Sequence, residues 1–177
     1  MRYSAKDDQE ALKAFDKAIE FDPNCARAYA GRAAIFNKMR QYQKAIRESE
    51  QALKLDPNLP WAFVTRGVAH LGLLNQQKAI EDLNRAIELD PKYAWAYINR
   101  SAAYYFISKY HQALEDADKA IELDPGFSYA YFHRGRALAL LNRIQDALED
   151  YDKAIELAPM FALNLHKDEP FDRYEGR

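Results

Sequence analysis

The chain has 177 residues, 49% of them hydrophobic and 29% charged, with 25 basic residues against 27 acidic ones and a formal charge of -2. That much apolar surface excludes a disordered chain, and the balanced charge excludes the clustered basic field that nucleic-acid binding draws on. No stretch approaches the ~18 apolar residues of a membrane span, and the first residues carry no apolar signal-peptide core.

The seven prolines stand at 23, 57, 60, 91, 125, 159 and 170, and five of them recur at intervals of 34. A fixed period takes precedence over any local reading. In chain order, residues 1–25 form the back half of a unit, one amphipathic helix whose face of Leu12, Phe15 and Ile19 lacks a partner helix. Residues 26–59, 60–93, 94–127 and 128–161 form four full units of two helices each, and residues 162–177 a short C-terminal helix or a tail. In the second helix of a unit, Ala79, Ile80, Leu83, Ala86 and Ile87 repeat at three- and four-residue spacing, the stripe of an amphipathic helix. Pro91 ends that helix, because the residue before a proline is pushed out of helical geometry.

Small residues mark the closest helix crossings: Ala45, Ala79, Ala113 and Ala147 in one register, Ala52, Ala86, Ala120 and Ala154 in another, and Ala33, Gly67, Ser101 and Gly135 on the first helix. A larger residue there overpacks the crossing at ~1–3 kcal/mol. An apolar residue precedes each first helix (Cys25, Leu59, Tyr93, Phe127, Phe161), placed to staple its entry. Arg32, Arg66, Arg100 and Arg134 share a register, each followed at a fixed distance by an acid: Glu48, Asp82, Asp116 and Asp150. Ion pairs between the two helices of a unit account for this. An arginine ladder gripping an anionic ligand is the competing reading, and the accompanying acids argue against it.

These registers resemble the tetratricopeptide repeat over residues 8–161, with local departures at Gln76 and at Ala158, which replaces the aspartate before Pro159. The resemblance implies an all-α fold, a right-handed α-solenoid of stacked antiparallel helix pairs, with the first helix of each unit lining an open concave face. The residues of that face left over from packing are the candidate partner contacts: Trp61, Val64 and Val68, then Trp95, Ile98, Asn99 and Tyr105, then Tyr129, Phe132, His133 and Arg136. Trp61, Trp95 and Tyr129 form a ladder in one register. Packing between neighbouring units is the alternative role for these aromatics, and one ring can serve both.

A subfamily of these repeats clamps the acidic C-termini of heat-shock chaperones with Lys and Asn on one first helix, Asn on the next, and Lys and Arg on the third. Asn99 matches the middle asparagine, but Val64 and Val68 precede it and Tyr129 and His133 follow it. The clamp is incomplete, and tight binding of such a peptide is not expected.

The chemistry of an enzyme is missing. The four histidines fall at unrelated registers, no phosphate loop or nucleophile elbow is present, and adjacent acids such as Glu115 and Asp116 splay to different faces of a helix. No catalytic residue, metal or cofactor is expected, and Cys25 reads as packing rather than as a nucleophile. One cysteine forms no internal disulfide, which fits a reducing compartment, so the expected location is cytoplasmic. The sequence thus reads as a protein-interaction scaffold holding a partner peptide or helix in an apolar, aromatic-lined groove. Self-assembly into a homo-oligomer through uncapped ends, or service as the docking module of a larger enzyme, are the alternatives.

Overall fold

The computed structural model describes residues 5–159. Among them are nine helices and no strand: α1 (Ala5–Phe21), α2 (Ala26–Lys38), α3 (Tyr42–Leu55), α4 (Pro60–Gly72), α5 (Gln76–Leu89), α6 (Ala94–Phe106), α7 (Tyr110–Leu123), α8 (Ser128–Leu140) and α9 (Ile144–Leu157). The expectations for residues 162–177, and for Phe161 as a staple, lie outside the described residues.

The chain divides into two compact units, one ending at Leu89 and the other beginning at Asp90. In the first, α2 packs on α3 and α4 on α5, while α4 also lies against α3 and α2, and α1 against α2. In the second, α6 packs on α7 and α8 on α9, and α8 also lies against α7 and α6. Each unit is therefore a stack of helix pairs, the all-α solenoid class.

The small residues sit where the helices meet. Ala45, Ala52, Ala79, Ala86, Ala113, Ala120 and Ala154 are fully buried, as is Ala33. The Gly135 backbone lies so near the Tyr151 ring that an added Cβ would fall 2.8 Å from it. Gly31 takes the Phe15 ring in the same way, so α1 is not left with a bare apolar face: Leu12, Phe15 and Ile19 are half-buried, while Phe21 is exposed.

Two kinds of turn alternate. Between the helices of a pair, Arg40, Leu74, Ser108 and Asn142 take φ near +60°. Each follows a helix whose last free carbonyls are closed by a pair of backbone hydrogen bonds, as where Gln41 N–H donates to Phe36 C=O at 2.8 Å and Arg40 N–H to Asn37 C=O at 2.9 Å. Between pairs, the aspartate before each proline accepts a backbone N–H two residues on: Asp22 from Asn24, Asp56 from Asn58, Asp90 from Lys92 and Asp124 from Gly126, at 2.9–3.0 Å. Ala158 has no side-chain oxygen to repeat this turn. The first helices start without a side-chain cap, and the apolar Leu59 and Phe127 at that position are buried.

Candidate peptide-binding face

The first helices are held by charge. Arg32 meets Glu48, and Arg66, Arg100 and Arg134 meet Asp82, Asp116 and Asp150, with N–O distances of 2.6–2.7 Å. In the last three pairs Nε and Nη2 engage the two carboxylate oxygens separately, the fork geometry that suits guanidinium. These are not surface pairs, because Asp82, Asp116 and Asp150 are buried. Burial pushes the Asp116 carboxyl up against the downward pull of Arg100. Two further contacts span the same sixteen residues in the opposite direction, a spacing at which only the following acid was read from the sequence. Asp16 on α1 and Asp118 on α7 reach Arg32 and Arg134 at 2.7 and 2.8 Å, so those arginines bridge two acids. Each arginine also lies over the ring three residues before it, Tyr29, Phe63, Tyr97 or Tyr131, at 5.5–5.7 Å.

With those faces committed, the candidate contacts separate by burial. Val64, Ile98, Asn99 and His133 are buried, at 6%, 0%, 1% and 5% exposure, and present almost no side chain to a ligand. The sequence placed them on an open face. They are enclosed because α4 and α8 each pack on both helices of the preceding pair as well as on their own partner, and α6 lies against α7 and α8. Asn99 turns its amide back onto its own helix, donating from Nδ2 to Trp95 C=O at 2.7 Å, as the Thr65 hydroxyl does to Trp61 C=O. Burial drives the His133 ring down to about 3, and the Arg136 charge adds to the effect, so it is neutral at physiological pH.

Trp61, Val68, Trp95, Tyr105, Tyr129, Phe132 and Arg136 are half-buried. In the first unit, Trp61 packs against the cluster of Ala30, Ala52, Leu59 and Ala62. In the second unit two groups form on α6 and α8. Trp95 meets Phe127 edge-on at 4.7 Å and Tyr129 at 5.7 Å. Further along, the Arg136 guanidinium lies 4.0 Å from the centre of the Tyr105 ring and 5.8–5.9 Å from Phe132 and Phe106, with Tyr151 against Phe132 at 6.0 Å. The aromatics thus pack on one another between neighbouring pairs and still keep part of their surface in water. Phe127, Phe106 and Tyr151 complete these groups and were not among the sequence candidates. Phe127 reads from sequence as a helix staple, and Tyr151 shares its register with Phe15 but with Ser49, Leu83 and Ala117 in the pairs between, so no constant residue type marks it.

Among the described residues no group of three or more His, Cys, Asp or Glu side chains is placed to hold a metal ion. No helix there is long and apolar enough to cross a membrane.

Models of the tetratricopeptide repeat match residues 26–59, 96–127 and 128–161, and one described as a TPR repeat matches residues 75–107. A comparison with curated proteins finds no match. Among solved structures, TTC0263, a thermophilic TPR protein of Thermus thermophilus, is similar in fold, with a TM-score of 0.80 at 19% identity over 90% of this chain and 91% of that one. YrrB, a TPR protein with an unusual peptide-binding site, gives 0.64 at 29% identity over 92% and 84%. The second TPR of Spaghetti (RPAP3), bound to the HSP90 peptide SRMEEVD, gives 0.54 at 32% identity over 55% of this chain and 91% of that one.

Proposed function

Since the chain belongs to the tetratricopeptide repeat family, we propose that it is a non-enzymatic scaffold that holds a partner peptide or helix against the aromatic groups of its first helices. The protein-interaction role comes with the family and with neighbours that take peptides. The observation that carries the finer reading is the half-buried set of Trp95, Tyr129, Tyr105, Phe132 and Arg136 on α6 and α8. Aromatic and arginine side chains that are locked by packing and keep an open edge have the composition of interface hot spots, since their ordering cost is already met in the free protein. Trp61 and Val68 on α4 offer a second, smaller apolar surface. The acidic chaperone C-terminus is not the expected partner: Val64, Val68, Tyr129 and His133 stand at the clamp positions, and Asn99 is buried. One cysteine, Cys25, fits a reducing setting such as the cytoplasm.

The test is partner capture with mass spectrometry, run in parallel on the wild type and on the Trp61→Ala, Trp95→Ala double variant. Partners held by the wild type are expected to be lost or strongly depleted on the variant. An unchanged set contradicts the reading.

Self-association is a second reading, favoured by Leu140, Ile144 and Leu148, which are about half exposed near the start of α9. Light scattering that reports a monomer at high concentration would exclude it.

A further inference from the structure

We infer that Arg136 is a carboxylate-binding residue, and that the partner segment carries an acidic group about three residues from an apolar anchor. The inference rests on the proposed peptide-binding role and adds the chemistry of the peptide.

Arg134 and Arg136 stand two positions apart on α8, hence on opposite sides of the helix. Arg134 is consumed by Asp150 and Asp118. Arg136 pairs with no carboxylate among the described residues; its contacts are the rings of Tyr105, Phe106 and Phe132. A ring face holds a cation through its quadrupole and uses none of the five N–H donors. The guanidinium is therefore half-buried, fixed in place and unspent as a donor, while the buried His133 beside it is neutral and does not compete for an anion. A planar carboxylate matches that fork bidentately.

On α8 itself the clamp positions of the wider family fall at Tyr129 and His133, and Arg136 stands instead in the register of Val68, where the clamp has an asparagine on an earlier first helix. From Tyr129 to Arg136 is seven residues of helix, a rise of roughly 10 Å, which an extended peptide spans in about three residues. The aromatic group at Trp95 and Tyr129 would take the apolar anchor and Arg136 the acid.

The test uses random dodecapeptide display on the full chain, with one library joined through its C-terminus and one ending in a free C-terminus, so that an internal Asp or Glu is told apart from a terminal carboxylate. The wild type is expected to select peptides with an acidic group about three residues from an aromatic. Arg136→Gln is expected to lose the acid and keep the aromatic, Trp95→Ala the reverse, and Arg136→Lys to fall between. Absence of acid enrichment in the wild type, or its persistence in Arg136→Gln, overturns the inference and leaves the peptide-binding role standing. A wild type that selects no peptide overturns both. Should Arg136→Gln select nothing, the best wild-type peptide is compared with its Gln or amide counterpart. A preference of at least about tenfold for the acid, shrinking in high salt, upholds the inference, and equal binding overturns it.

Discussion

Leu74 sits in the left-handed region at φ 59° with its side chain 71% exposed. An L-residue loses ~1–2 kcal/mol there, while glycine is at ease and gives up only part of that gain through its freer unfolded chain. Leu74→Gly is therefore expected to stabilise the protein by about 0.5–1 kcal/mol, read as a rise in the urea midpoint. No glycine marks this register in the sequence, where Arg, Leu, Ser and Asn alternate, which is why the turn was not legible although the helices on both sides were. His133 gives a second expectation. Its folded ring binds protons only near pH 3, against an ordinary value of 6.5. The unfolded chain takes up that proton first as the pH falls, so the stability this ring contributes is complete above about 6.5 and is lost downward toward about 3, at up to ~1.4 kcal/mol per pH unit. Unfolding titrations between about pH 7 and 5 check this: the acid slope should flatten in His133→Gln.

At the scale of an element, the pairing of Arg100 with Asp116 ties α6 to α7. Removing one partner strands a buried charge, so Arg100→Met should cost about 3–5 kcal/mol, and adding Asp116→Leu should recover most of it. Calorimetry on both variants decides the matter; a double variant as weak as the single one would contradict the expectation. This bond was legible because arginine and acid recur together at one spacing. Its burial was not, since spacing carries no information on what covers a pair. The same limit applies to Val64, Ile98, Asn99 and His133. A helix that packs on two or three neighbours has too few open positions for its periodicity alone to separate a lining residue from a core one.

Across the whole molecule, the proline period and the alanine registers made the helix pairs readable, because the two helices of each pair meet through the same small residues. The aromatic groups follow that period only in part. Trp95 and Tyr129 share the register of Trp61, yet Phe127 joins them from the position before a helix. Arg136 has no counterpart in the other pairs, where Ala34, Val68 and Ala102 occupy its register. What is irregular in a repeat protein is free of the demands of stacking, and that is where partner choice can reside. Trp95→Ala should therefore weaken a captured partner by roughly 30-fold, about 2 kcal/mol, at a smaller cost in fold stability measured by denaturant titration. The most direct measurement is hydrogen–deuterium exchange of the chain with and without that partner. New protection is expected on α6 and α8, around Trp95, Tyr105, Tyr129 and Arg136. Protection confined to α7 and α9, with α6 and α8 unchanged, would contradict the proposed binding face.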